Sequence, residues 1–454
     1  MASAADSMAS GLNLSKFGQA TELKKRLWFT LGALIIFRML SFVPLPGVDP
    51  TQLGLLADRT QGGVLDFFNT FSGGALERMS VIALGVMPYI TASIVVQLAT
   101  SLSPTLAAIK KDGESGRKRL NQYTRYGTVA LTAIQGYFIA VGLETLGASQ
   151  GLAPVVEPGM LFRIAAVISL IGGTMFLMWL GEQITSRGVG NGISLIIMAG
   201  IVAHLPTTLV QLFEGGRSGS MNPVTLVAIL AAVAGLILFI CFMERAQRRI
   251  LIQYPKRQTQ RGVQSERSHL PLKINTAGVI PPIFASSLLL MPLTISQFAG
   301  QAQAGQSWSG DLIITLNQYL QHGSLVYMLL YGAGIIFFSF FYTAVVFNPE
   351  ETAENLKKYG GFIPGIRPGK NTEAYFDYVL TRITVIGAAY LTVICLLPEY
   401  LVSALAIPFY LGGTSLLIVV NVTMDTVTQI QSHLLAHQYG DLIKKAKLKG
   451  GRLR

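Results

Sequence analysis

The stretch Pro223-Val-Thr-Leu-Val-Ala-Ile-Leu-Ala-Ala-Val-Ala-Gly-Leu-Ile-Leu-Phe-Ile-Cys-Phe-Met243 contains no charged side chain. A membrane-spanning helix needs about 20 consecutive, mostly apolar residues, and this stretch supplies them without a break. Others of the same kind lie on both sides. Before it come residues 27–43, 81–100, 127–147, 162–181 and 190–213; after it come 276–298, 325–347, 379–397 and 407–431. A length of 454 residues would otherwise suggest about three soluble domains of roughly 150 residues. The 51% hydrophobic content, mean hydropathy of +0.50 and 13% charged residues exclude that. The expected fold is an all-α polytopic membrane protein with ten transmembrane helices.

The net charge of +12 would suit a nucleic-acid binder, but its distribution says otherwise. With ten spans and the N-terminus inside, only Arg38, Arg59, Arg78, Arg163, Arg217 and Arg382 of the 35 Lys and Arg fall outside the cytoplasmic segments. That bias is the positive-inside rule, and it puts both termini in the cytoplasm. Lys24-Lys25-Arg26 before an apolar run imitates a signal peptide, yet the run ends in Val43-Pro-Leu-Pro-Gly47 without a small-residue cleavage site. It is expected to remain as the first span. Cys241 and Cys395 both lie inside spans and are expected to be buried apolar fillers, with no disulfide or metal role.

Five spans precede the midpoint loop at 215–222 and five follow it, so the second half enters the membrane from the opposite side. That parity is what an inverted repeat requires, with function at the interface of the halves around a central pore. The expected organisation is a cytoplasmic segment 1–26, an N-terminal half 27–214, a C-terminal half 215–435 and a basic tail 436–454. Loops 103–125 and 244–273 are strongly basic, 348–378 is long and mixed in charge, and Arg249-Ile-Leu-Ile-Gln-Tyr254 is β-capable. These loops fix orientation, or they also form a docking surface for an anionic partner such as ribosomal RNA. Their length exceeds what short helix connections need, which favours docking.

Residues 60–80 set Val64, Leu65, Phe67, Phe68 and Phe71 between two glycine pairs, too short a run to span. The segment is either re-entrant, and then needs protein around it, or an interfacial helix on the outer leaflet. The last span carries Thr414, Ser415, Asn421, Thr423, Asp425, Thr426, Thr428 and Gln429. An Asp at a span centre costs about 2.5 to 3.5 kcal/mol on insertion scales, so Asp425 should face protein or water. Arg38 and Asp425 are the clear internal charges, without the paired ionisable groups of an ion-coupled transporter. Gly188-Val-Gly-Asn-Gly192 opens a membrane helix with no strand before it, which points to close packing and not to a dinucleotide. No catalytic pattern and no cofactor motif is seen, so an enzyme is not expected. Physical reading reaches a polar-lined passage with apolar closure, or a ten-span secondary transporter of a small solute.

Further residues narrow the choice. Asn69-Thr-Phe-Ser-Gly-Gly-Ala-Leu76, Gly85-Val-Met-Pro-Tyr-Ile90, Gly188-Val-Gly-Asn-Gly-Ile-Ser194 and Leu270-Pro-Leu-Lys-Ile-Asn-Thr-Ala-Gly-Val-Ile-Pro281 are followed in order by three more. These are Ala353-Glu-Asn-Leu-Lys-Lys358, Gly365-Ile-Arg-Pro-Gly369 and Gly412-Gly-Thr-Ser-Leu-Leu-Ile418. Together they resemble, over essentially the whole chain, the SecY family, channel subunits of the bacterial protein-export translocase. The resemblance implies a protein-conducting channel shaped as an hourglass, closed at its waist by Val86, Ile90, Ile193, Ile197, Ile280 and Ile418. It makes 64–79 a plug, carrying Val64, Leu65, Phe67, Phe68, Phe71 and Leu76. It also makes the second and seventh spans a lateral gate, with Gln97, Asn275 and Thr276 as candidate polar contacts. Arg257, Arg261 and Arg367 become docking residues for the ribosome and the motor ATPase SecA. The partners implied are SecE, SecG, SecA, the translating ribosome, secretory preproteins with their signal peptides and the phospholipid of the bacterial inner membrane.

Overall fold

The computed structural model describes residues 21–53, 69, 72–150, 154–218, 222–254, 257–259, 262–264, 267–289, 319, 324–405 and 412–450. Within these, α1 is Thr21–Leu40, α2 Met87–Leu102, α3 Pro104–Lys111, α4 Glu114–Gln150, α5 Met160–Arg187 and α6 Gly192–Arg217. The second half has α7 Pro223–Arg245, α8 Ile280–Leu289, α9 Leu325–Val346, α10 Pro349–Lys358, α11 Lys370–Leu405 and α12 Gly413–Gly450. Four strands lie between α7 and α8: β1 Gln247–Gln253, β2 Arg257–Thr259, β3 Gly262–Gln264 and β4 Arg267–Lys273. A helix stands at each of the ten expected spans; α8 is the described part of the seventh. Six of them, α4, α5, α6, α7, α9 and α11, are long and apolar enough to cross a bilayer on those grounds alone. α1 falls short because Lys24, Lys25, Arg26 and Arg38 interrupt it, and α12 because of its polar face.

Several helices outrun their apolar stretches. α4 has 37 residues, α11 has 36 and α12 has 38. At 1.5 Å per residue these run to roughly 55 Å, against about 30 Å of hydrocarbon. The excess of α4 and α12 lies on the basic face, while α11 extends at both ends, so much of the expected loop 103–125 is helix. α2 and α3 form a bent pair at 101°. Pro104 is the cause: it disfavours helical backbone at the residue before it, and Ser103 is extended at φ −101°, ψ 120°.

At its other end the second span departs from expectation. Residues 81–86 are turns, and the helix starts only at Met87, with a proline in its first positions. Proline suits a helix start because the N–H it lacks would have no intrahelical partner. This irregular backbone is buried in protein, as backbone at membrane depth must be. The Val81 N–H donates to the Val43 carbonyl at 3.0 Å, and the Leu45 N–H to that of Met79 at 2.9 Å.

Helices of the first half pack on one another, chiefly α4 on α5, α2 on α4 and α5 on α6; in the second half α9 packs on α11 and α11 on α12. The halves meet where α12 contacts α6 and α1. Lipid offers no hydrophobic drive to join helices, so small residues that let backbones approach decide such contacts. The Gly188–Gly192 turn does this, as its sequence indicates. A Cβ on Gly192 would collide with the Gly181 carbonyl, and one on Gly188 with Thr30 Oγ1. The turn is tied to both halves: the Val189 N–H donates to Thr30 Oγ1 at 3.1 Å, and the Gly190 N–H to Gln429 Oε1 at 2.9 Å. Gly192→Ala is therefore expected to destabilise the protein by about 1–3 kcal/mol through overpacking against rigid backbone. A lowered unfolding temperature in detergent would register it, and an unchanged one would refute the close approach.

Candidate functional site

Val86, Ile90, Ile193, Ile197, Ile280 and Ile418 all occupy the first two turns of a helix or the residue that starts it. Val86 is the N-cap of α2 and Ile90 lies in its first turn; Ile193 and Ile197 share one face of α6. Ile280 opens α8, and Ile418 lies in the second turn of α12. The structure brings them into one continuous apolar cluster drawn from both halves. Val86, Ile90, Ile197 and Ile418 are buried, while Ile193 and Ile280 are half-buried against them. All six thus belong to the main apolar core or pack against it.

Beside it lies the segment read as re-entrant or interfacial. Val64, Leu65, Phe67, Phe68 and Phe71 fall outside the described residues. Leu76 is buried and belongs to the same apolar core, with Ala75 and Met79. Asn69, Ser72–Leu76, Met79 and Ser80 are all buried in protein, which favours the protein-lined alternative. The backbone here is tightly turned: Gly73, Gly74 and Gly85 have φ of 70°, 80° and 57°, and Met79, at φ 40°, does so without being glycine. Asn69 folds the segment back, accepting from the Glu77 N–H at 3.1 Å and donating to Glu77 Oε2 at 2.8 Å.

Two arginines hold this turn. Arg38 donates to the Gly73 carbonyl at 2.6 Å, and Arg78 donates to Gly73 and Gly74 at 3.1 and 3.0 Å. Both guanidinium groups also lie over the Phe42 ring, at 5.3 and 4.3 Å. The internal charge of α1 is thus satisfied by a carbonyl and an aromatic face. Sequence reasoning flagged Arg38 but not these partners. Asp425, the other internal charge, is exposed, with Lys273 Nζ at 3.9 Å.

Gln97, Asn275 and Thr276 make their hydrogen bonds on their own side of the α2–α8 boundary. Gln97 donates to Ser93 of the same helix at 3.3 Å. Asn275 bonds Glu244 and Gly278, and Thr276 donates to the Lys273 carbonyl at 3.1 Å. The contact that crosses is Ser287 Oγ of α8 with Met87 Sδ of α2, at 3.8 Å. Neither residue stands out in the sequence, because both are small or apolar positions in apolar helices.

On the basic face the two long loops form one platform. β1 pairs antiparallel with β4, Gln247 opposite Lys273 through Gln253 opposite Arg267. β1 covers most of the β-capable run. The Gln253 and Phe362 backbones exchange hydrogen bonds of 2.9 Å in each direction. Beneath them Ile250, Leu272, Ala353, Ile363, Phe376 and Val379 form a second apolar core. Arg367 is exposed on this platform. Arg257 opens β2, opposite Gln264 of β3, and Arg261 lies outside the described residues.

Two packed sets of helices that share one apolar core, with a buried turn against it, define a polytopic helical membrane protein. The SecY family model matches residues 80–427, so the chain belongs to the SecY family. It is 54% identical over 434 residues to the protein translocase subunit SecY of Escherichia coli K12, covering 95% of this chain and 96% of that one. It is 51% identical over 438 residues to that of Rickettsia bellii, covering 96% and 99%. Among solved structures, a protein-conducting channel aligns with a TM-score of 0.64 at 16% identity, over 90% of this chain and 92% of that one. Sec61 in the canine ribosome-channel complex from the endoplasmic reticulum aligns at 0.60 and 15%, with the same coverage. At such identity the structures speak for the fold. The sequence relatives identify a translocase channel subunit and not an enzyme, and the small-solute transporter reading is not favoured.

Proposed function

We propose that unfolded secretory polypeptides pass through the waist formed by Val86, Ile90, Ile193, Ile197, Ile280 and Ile418. Membrane segments leave sideways between α2 and α8. One observation supports this: six branched aliphatics from both halves, each at the start of one of four helices, lie in or against the same apolar core. A narrow apolar neck sheds water and so blocks ions, while methyl-bearing walls accept a chain of any sequence. Segment 64–79 is the plug that closes the neck from outside, seated through its turn at Gly73–Gly74. Met87 and Ser287 mark the lateral boundary, and Gln97, Asn275 and Thr276 are its polar residues, whose contacts make closure reversible. The protein sits in the bacterial inner membrane with both termini in the cytoplasm, alongside the small subunits SecE and SecG.

The channel hydrolyses nothing, so its partners supply energy. The joined platform of loops 244–273 and 348–378 is the docking site for SecA and the translating ribosome, through Arg257, Arg261 and Arg367. A relative of the same fold in a ribosome-channel complex supports the ribosomal half of this proposal. Arg367→Glu should abolish SecA-driven transport in reconstituted vesicles while leaving the α2–α8 contact intact; transport at the parent rate would remove the assignment. Charge reversal at Arg257 and Arg261 should weaken ribosome binding with topology unchanged. The passage itself is tested by a photo-crosslinker at Ile418 and a secretory protein stalled partway through export. Crosslinking that requires both the stall and a functional signal sequence establishes the path. Crosslinks confined to the basic loops would refute it.

A further inference from the structure

The most apolar helix ends in an acid. Glu244, near the last residue of α7, is only 5% exposed, and its Oε1 accepts a 2.6 Å hydrogen bond from Asn275 Nδ2. Burying a carboxylate is costly unless it is well bonded, so the geometry around it is informative. Asn275 Nδ2 also donates to the Gly278 carbonyl at 3.1 Å, and Asn275 Oδ1 accepts from the Gly278 N–H at 3.1 Å. One side chain therefore closes the 275–278 turn on itself and ties it to α7. Gly278 has φ +66°, which suits glycine alone, and α8 begins two residues later.

The same turn is braced from its other sides. The Ile274 N–H donates to the Ala246 carbonyl at 3.1 Å, closing the root of the β1–β4 ribbon. A Cβ on Gly387 of α11 would lie 2.8 Å from the Ile274 carbonyl oxygen, and one on Gly278 would lie 3.7 Å from Asn421 Nδ2 of α12. Lys273 and Asp425 meet beside it at 3.9 Å. Ser287, which touches Met87 across the halves, stands about 10 Å along α8 from Ile280 at 1.5 Å per residue. A small tilt at the base displaces that contact.

We infer that Glu244, acting through Asn275, is a positioning residue that fixes the base of α8 and thereby sets the resting contact between α8 and α2. The inference rests on the lateral exit proposed above and assigns the side chain that holds its movable wall. Because the link is the 2.6 Å hydrogen bond from Asn275 Nδ2, a neutral acceptor at 244 should suffice.

The test uses the complete translocase in lipid vesicles, with Cys241 and Cys395 replaced by alanine and cysteines introduced at Met87 and Ser287. The readout is the rate at which a short bis-thiol reagent bridges them in the resting channel. Glu244→Ala should slow bridging about fivefold, the scale of one net hydrogen bond, and Asn275→Ala, which also loses the Gly278 bonds, should slow it at least as much. The double variant should be no slower than Asn275→Ala alone, because Glu244 acts through Asn275. Glu244→Gln should bridge at nearly the parent rate, a rescue that a purely space-filling role would not require. Glu244→Leu, which removes the buried charge together with its partnership, carries the same expectation as alanine should the latter fail to accumulate. Unchanged bridging in Glu244→Ala or Glu244→Leu, or additive effects in the double variant, overturns the inference. A bridged parent that still releases membrane segments would overturn the lateral exit instead, while the bridging rates continue to judge Glu244.

Discussion

A channel with Ile90, Ile197 and Ile418 all changed to serine is expected to conduct ions at rest, where the parent is closed. The three come from α2, α6 and α12, so the change wets the waist from both halves at once. An ion in a dry apolar neck gives up its hydration without a protein partner, a penalty of several kcal/mol. Hydroxyl groups recover part of it by keeping water in the neck. Lowering the barrier by about 2.7 kcal/mol raises the rate of crossing about a hundredfold. Single-channel recording of the reconstituted complex measures this directly. Each single substitution should leak far less, because the remaining aliphatics can still exclude water. Conductance that stays at the parent level in the triple variant would mean these side chains are ordinary packing and the barrier lies elsewhere.

Such an experiment also bears on what the sequence could and could not say about the waist. Spans are legible because about 20 apolar residues in a row have few other uses, and the parity of five and five follows from counting them. Their ends are less legible. α4 begins at Glu114, well before its apolar stretch, because Arg, Lys, Glu and Gln continue a helix as readily as Leu does. The ribbon was half visible: Arg249–Tyr254 is rich in β-capable residues, but its partner β4 contains Pro271, which argues against a strand in isolation. Val86, Ile90, Ile193, Ile197, Ile280 and Ile418 are indistinguishable by residue type from dozens of other aliphatics. Family resemblance picked them out; the structure places each in or against the main apolar core. Glu244 looked like the first residue of a basic loop, since nothing local announces a partner 31 residues away. Arg38 announced its cost, but its partner is a backbone carbonyl, which has no sequence signature.

That carbonyl supports a second large expected effect, at the seat of the proposed plug. Arg38→Ala removes the 2.6 Å hydrogen bond to Gly73 and one of the two cations over Phe42. A hydrogen bond from a charged donor contributes about 1.5–3 kcal/mol, and Gly73 lies in a turn already committed to left-handed backbone. Losing about 2 kcal/mol from the seated state raises the unseated fraction roughly thirtyfold. A cysteine at Leu76, buried against the waist in the seated state, should then react about thirtyfold faster with a membrane-impermeant thiol reagent added from outside. Arg78→Ala should have a smaller effect, because its bonds to Gly73 and Gly74 are longer, at 3.1 and 3.0 Å. Arg38→Lys should recover part of the loss: it keeps a charged donor but not the planar group that lies over Phe42. Equal labelling in the parent and Arg38→Ala would show that the turn is held by its own backbone and by Asn69–Glu77. In that case the two arginines would serve only to settle charge at the outer end of α1.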